Sequence, residues 1–185
     1  MINAANIITI ARILLVPVFV VLLFVHIPHG DILAIAVFSV AAATDKLDGY
    51  LARSRGSVTV LGQFLDPLAD KLLISAALIS LVALDRLPAW VAMVIIAREM
   101  AVSGLRIAAI AQGVSIPADR LGKLKTTAQI VMVIVLLLPQ IDQLPRRNVL
   151  EDVLIYVAVI LTVVSGVQYF VNARDRLHIP WSQPR

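Results

Sequence analysis

Six long apolar stretches run along the chain, separated by short polar or turn-forming breaks. They cover about Ile7–Val25, Asp31–Leu51, Gly62–Leu84, Ala89–Ala111, Leu121–Leu138 and Leu150–Val171. Each is close to the roughly 20 residues that an α-helix needs to cross a bilayer core. The breaks "IPHG" at 27–30, "DRLP" at 85–88 and "PQIDQLPRRN" at 139–148 combine proline, glycine and polar residues, as turns do. Pro67 either delays or kinks the third helix. The pattern predicts an all-α integral membrane protein with six transmembrane helices. It forms a single domain over 1–173, followed by a short polar tail at 174–185.

Composition strengthens the membrane reading. Of 185 residues, 60% are hydrophobic and 15% charged, against about 25% charged in a typical soluble domain. The mean hydropathy is +0.93. There is no cysteine, so disulfides and thiolate metal sites are excluded. His26, His29 and His178 fall in turns or the tail, a poor basis for a zinc site. The net charge of +4 fits cytoplasmic loops and anionic headgroups rather than nucleic acid, for which no reading module is visible. No basic region, short apolar core and small-residue cleavage site occur in signal-peptide order, so the first stretch is expected to stay as a membrane helix.

With six crossings, Arg53, Arg55, Arg120, Lys123, Arg174, Arg176 and Arg185 share one side, and Arg86, Arg146 and Arg147 the other. The richer side is expected in the cytoplasm. Asp31 reads as a helix cap on the far side, and Trp90 and Trp181 as interfacial anchors.

Against this background four aspartates stand out, in "ATDKLDGYLARSRGSVTVLGQFLDPLADK" from Ala43 to Lys71. An ionised carboxylate next to hydrocarbon is costly, and clustered ones repel one another until a cation offsets them. Asp45 and Asp48 are three apart, and Asp66 and Asp70 four apart, so each pair shares a helix face. Gly49 and Ala52 lie beside the first pair and leave room for a nucleotide or a close helix; Gly62 does the same at the entry to the next helix. Oxygen-only ligands suit magnesium or manganese, and such ions suit a phosphate-bearing substrate. A carboxylate not used up as a ligand could accept a proton from an attacking alcohol.

The stretch resembles the signature of the CDP-alcohol phosphotransferases: Asp45, Asp48-Gly49, Ala52-Arg53, eight residues, then Gly62, Asp66 and Asp70. Every fixed position is filled, which makes the motif far more specific than an isolated glycine pattern. "NIITIAR" at Asn6–Arg12 is similar to the family's amino-terminal segment. "AREMAVSGLR" at 97–106 and "GKLKTTAQ" at 122–129 resemble its phosphatidylglycerophosphate synthase branch.

The resemblance implies a six-helix membrane enzyme, commonly a homodimer. It moves the phosphatidyl part of CDP-diacylglycerol to sn-glycerol 3-phosphate and releases CMP. It implies two Mg2+ or Mn2+ ions held by Asp45, Asp48, Asp66 and Asp70, with Asp70 as base for the acceptor hydroxyl. CDP-diacylglycerol is expected to meet Asn6, Thr9, Arg12, Asp48, Gly49, Ala52, Arg53 and Gly62. The acceptor's own phosphate needs an anion site, for which Arg98, Arg106, Arg120, Lys123, Lys125 and Thr126 are the candidates. Thr127 could add a hydrogen bond, and Arg98 could instead pair with Glu99 or with an aspartate.

Plainer roles compete at several positions. Helix packing would suffice for Gly49, Ala52 and Gly62, cytoplasmic retention for Arg53, and headgroup snorkelling for Arg106 and Lys123. A family member with another acceptor, phosphatidylglycerol or an inositol phosphate, would keep the aspartates. A small cation or solute transporter would place its carboxylates mid-membrane rather than at helix ends.

Overall fold

The computed structural model describes residues 4–25, 27–54, 60–112, 114, 120–139 and 149–174, with the backbone alone at 4–6, 45–54, 60–67 and 120. The regular structure of these residues is entirely helical: α1 (Ala4–Phe24), α2 (Gly30–Ser54), α3 (Val60–Ala83), α4 (Ala89–Ala111), α5 (Arg120–Leu137) and α6 (Val149–Arg174). All six helices sit where the apolar pattern puts them, with ends shifted by at most three residues. Two positions run against propensity. α1 continues through Pro17, and α3 is already helical before position 67 and continues past it. Proline is better tolerated in apolar membrane helices than in soluble ones.

The described chain divides into two compact units, Met1–Pro88 with Val133–Arg147, and Ala89–Met132 with Asn148–Arg185. In the first unit α1 packs on both α2 and α3, and α2 touches α3. The buried stripe of α1 is Thr9, Arg12, Phe19 and Leu23, at spacings of three, seven and four residues that keep to one helix face. α2 answers with Ala34, Phe38 and Ala41, and α3 with Ala69, Leu73, Ala77 and Leu81. The rings of Phe19 and Phe38 meet at 5.7 Å, tilted by 44°.

Two turns of this unit are built around positive φ. His29 has φ 62°, and the Gly30 N–H donates to the Ile27 carbonyl at 3.0 Å. A Cβ on Gly30 would stand 2.8 Å from the Leu22 carbonyl oxygen, so only glycine lets α2 start this close to α1. At the end of α3, Asp85 has φ 55°. The Arg86 N–H reaches back to the Leu81 carbonyl at 2.9 Å and the Asp85 N–H to Val82 at 3.1 Å. This pairing closes a helix carboxyl end with one left-handed residue. Arg86 then donates to the Leu136 and Leu137 carbonyls at 3.4 and 3.2 Å and to Asp31 Oδ2 at 3.5 Å. One guanidinium thereby satisfies orphan carbonyls at the end of α5 and faces the acid that opens α2.

In the second unit α4 packs on α6. Val102, Ala109, Tyr169 and Ala173 form its apolar centre, with Leu105 and Val114 against them.

Two helices are long and apolar enough to cross a membrane, Ile7–Phe24 and Val149–Arg174 among the described residues. α4 carries Arg98, Glu99 and Arg106, and α5 carries Arg120, Lys123 and Lys125, which makes both more polar.

Candidate active site

Charged chemistry collects in two places, one in each unit. The first is built on α1, α2 and α3. The break at 25–29 is too short for anything but an antiparallel pair, so the start of α1 and the end of α2 share one end of the unit. The Phe19–Phe38 contact sets their register. Seven residues back along α1 and seven forward along α2 reach Arg12 and position 45; ten residues reach Thr9 and position 48. The two helices rise equally per residue, so Arg12 lies level with Asp45, and Thr9 level with Asp48, along the helix axes.

Thr9 and Arg12 are both buried, and Thr9, Arg12 and Asp70 each have an interaction partner. Asp70 is half-buried, one turn of α3 beyond Asp66. The side chains of Asn6, Asp45, Asp48, Gly49, Ala52, Arg53, Gly62 and Asp66 lie outside the described residues, but their helical positions are fixed. Asp45 and Asp48 fall in the last three turns of α2, and Asp66 and Asp70 in the first three turns of α3.

Among the residues whose side chains are described, no three His, Asp or Glu groups converge. The fit of a metal therefore rests on donor chemistry. Four carboxylates on two touching helices offer only hard oxygen donors, and these match magnesium or manganese.

The second place is a buried polar network joining α4, α5 and α6. Glu99 on α4 is 9% exposed and Lys125 on α5 is 5% exposed. The Lys125 ammonium is ion-paired with Glu99 Oε1, and Arg98 Nη1 meets the same oxygen at 3.2 Å. Arg98 Nη2 donates to Ser165 Oγ on α6 at 3.1 Å, and the Ser165 hydroxyl donates to the Thr162 carbonyl at 3.1 Å. Gln129 Nε2 on α5 donates to Thr162 Oγ1 at 2.9 Å, and that hydroxyl donates onward to the Ala158 carbonyl at 2.6 Å. Two cations, Arg98 and Lys125, thus share one oxygen of the Glu99 carboxylate.

The other basic candidates are arranged differently. Arg106 is eight residues further along α4, about 12 Å of helix rise. Its Nε donates to Tyr169 Oη at 3.4 Å and its guanidinium lies 5.8 Å from the ring centre. Lys123 is exposed. Thr126 and Thr127 donate their hydroxyl protons to the carbonyls of Gly122 and Lys123, one turn back on their own helix. The side chain of Arg120 lies outside the described residues, as do residues 140–148 with Arg146 and Arg147, and the tail 175–185 with His178 and Trp181. The structure thus brings Arg98 and Lys125 together through Glu99, and sets Arg106 apart with Tyr169.

The sequence reading passed over the α6 half of this network. Its signal was present: Thr162, Ser165, Gly166 and Tyr169 follow the i, i+3, i+4, i+7 spacing of one helix face inside an otherwise apolar segment.

Residues 2–164 match the family model described as CDP-alcohol phosphatidyltransferase. A Bacillus subtilis protein named CDP-diacylglycerol–glycerol-3-phosphate 3-phosphatidyltransferase is 45% identical over 92% of this chain and 94% of its own. Proteins of the same name are 36% identical in Rickettsia typhi, over 91% of this chain and 95% of theirs, and 35% identical in Haemophilus influenzae, over 95% of both.

Proposed function

The chain belongs to the CDP-alcohol phosphatidyltransferase family, and from that premise we propose that it transfers the phosphatidyl group of CDP-diacylglycerol to sn-glycerol 3-phosphate, giving phosphatidylglycerophosphate and CMP. The observation that carries this reading is near-full-length similarity to proteins bearing that activity's name.

The first charged place is the donor and chemical site in this reading. Asp45, Asp48, Asp66 and Asp70 would hold one or two Mg2+ or Mn2+ ions. When bound, these supply positive charge against the diphosphate and the departing phosphate. Asp48, Gly49, Ala52, Arg53 and Gly62 frame the cytidine diphosphate, with Asn6, Thr9 and Arg12 from α1. The shared level of Thr9 and Arg12 with the first aspartate pair supports that grouping. Asp70 accepts the proton of the acceptor hydroxyl. The acceptor oxygen bonds to the phosphorus that carries diacylglycerol, the bond from that phosphorus to CMP breaks, and CMP leaves with the electron pair.

The second place would receive the acceptor's phosphate. The meeting of two cations from neighbouring helices, Arg98 and Lys125, supports this, because a phosphate takes charge-assisted N–H donors from such a pair. Arg106, Arg120, Lys123 and Thr126 belong to the same reading as further acceptor-binding residues.

Family membership and two apolar helices agree on a membrane protein. The finer reading is a multi-pass protein of six crossings, with its chemistry at the cytoplasmic face and a homodimer as its working form. Every helix supports the crossings by exposing large apolar side chains: Leu14, Val40, Ile79, Ile107, Val131 and Val164 are examples. In water such surfaces would drive association; in a bilayer they face lipid. Arg86 supports them too, since it gathers the start of α2, the end of α3 and the end of α5, as alternating crossings require.

The test is an acceptor panel with purified protein, CDP-diacylglycerol and magnesium or manganese. CMP release and a phosphatidylglycerophosphate product mass are expected with glycerol 3-phosphate alone. Product with phosphatidylglycerol or an inositol phosphate instead would move the chain to another branch. Ion flux without CMP would make it a transporter.

A further inference from the structure

We propose that Ser165 and Gly166 of α6 form a positioning seat for the Arg98 guanidinium, so that α6 helps set the enzyme's affinity for the phosphorylated acceptor. Both residues lie just beyond the part of the chain that matches the family model, which ends at residue 164. The proposal rests on the reading that Arg98 contacts the acceptor's phosphate.

Three contacts define the seat. Glu99 Oε1 holds Nη1 at 3.2 Å and Ser165 Oγ holds Nη2 at 3.1 Å. The Ser165 proton is committed to the Thr162 carbonyl at 3.1 Å, so its lone pairs are turned toward the guanidinium. The third contact is steric. A Cβ on Gly166 would stand 3.0 Å from Arg98 Cγ and 3.3 Å from Nε. Glycine inside a helix is weaker than alanine there, and at this position its bareness is what admits the arginine stem. Arg98 Nε is buried and makes no hydrogen bond among the described residues. The guanidinium is therefore held at both terminal nitrogens, and each of these keeps a second N–H. That arrangement pre-orients a cation for a planar, two-point grip on an oxyanion.

The neighbourhood contains the other charges that matter. Lys125 presses on the same Glu99 oxygen from α5. Without Ser165, Arg98 would be held by Glu99 alone and would be free to swing on its long stem. With a methyl at 166, the stem itself would shift. Either change should weaken acceptor binding without touching the donor lipid.

Steady-state kinetics on Ser165→Ala, Gly166→Ala, Ser165→Thr and Arg98→Ala, in the full-length protein in detergent, test this. Ser165→Ala and Gly166→Ala are each expected to raise KM for glycerol 3-phosphate about tenfold, the order expected for one hydrogen bond to a charged group. KM for CDP-diacylglycerol should stay within about twofold. Ser165→Thr, which keeps the hydroxyl, should restore most of the loss. In an Arg98→Ala background Ser165→Ala should add nothing, because the two act as one unit. If Arg98→Ala raises the acceptor KM while Ser165→Ala does not, the seat is refuted and the acceptor site stands. If Arg98→Ala leaves the acceptor KM unchanged, the acceptor reading of Arg98 fails and the seat with it. If Gly166→Ala does not fold, Ser165→Ala and its threonine rescue decide alone. Equal changes in both KM values would mark a purely structural role and overturn the proposal.

Discussion

The two charged places of this molecule solve opposite electrostatic problems. On α2 and α3, four aspartates fall on two touching helices, with Lys46, Arg53, Arg55 and Lys71 as the basic residues beside them in the chain. On α4, α5 and α6, opposite charges are interleaved with hydroxyls and an amide until almost every group has a partner inside the protein. In the proposed reading the first arrangement takes cations and the donor's diphosphate. The second is cross-linked by its own partners, and that makes it stiff. A transferase needs both kinds: one place that is completed by its ligands and one that holds a ligand where it must be.

The largest expected effect separates the two places by activity. Asp70→Asn should lower the rate of CMP release by about 10²–10⁴-fold, the range for losing a general base. A chelator should silence the wild-type protein until magnesium or manganese is returned. Wild-type turnover by Asp70→Asn at matched protein level would remove Asp70 from the chemistry.

Stability draws the contrast next. Lys125→Met should cost about 3–5 kcal/mol in an unfolding titration, the usual penalty for stripping one partner from a buried pair. Pairing it with Glu99→Gln should cost less than the separate losses combined. Simple additivity would mean that the two residues do not act as a unit.

A smaller effect is expected at the rim of the second place. Arg106 is exposed and meets the Tyr169 ring, a contact worth roughly 0.5–1 kcal/mol at such sites. Arg106→Ala should raise KM for glycerol 3-phosphate several-fold and leave KM for CDP-diacylglycerol unchanged. Equal damage to both would make its role structural. The smallest effect belongs to neither place. Arg86→Gln should lower stability by about 1 kcal/mol, since its contacts are long and partly solvated, with turnover intact. Lost turnover would tie that end of the bundle to the chemistry.

The two places also differed in how far the sequence alone revealed them. The aspartates occupy a span of 26 residues with fixed spacing, so like charge, helical phase and family pattern coincide in one window. The second place joins Arg98, Lys125 and Ser165 across three helices. Arg98 and Lys125 were recognised as cations, and Glu99 as a possible partner of Arg98, but their closure on α6 was not. Ser165 and Thr162 look like ordinary tolerated polar residues until tertiary packing brings Arg98 and Gln129 against them. The helices were legible because apolar runs of this length have few alternatives to a helix in lipid. The Arg86 tether was not, because a loop arginine contributes to a charge-based orientation in the same way whether it is solvated or docked.

That tether has a consequence for the loop that carries it. Most surface connections accept extra residues with little penalty. Here Asp85 reverses the backbone at φ 55° and the next side chain must reach Asp31 and two carbonyls of α5 at once. One residue added to the last turn of α3 would swing Arg86 by about 100° about the helix axis and break all three contacts together. The stretch from Leu84 to Pro88 is therefore a ruler rather than a hinge: its length, more than its composition, is what the rest of the first unit reads.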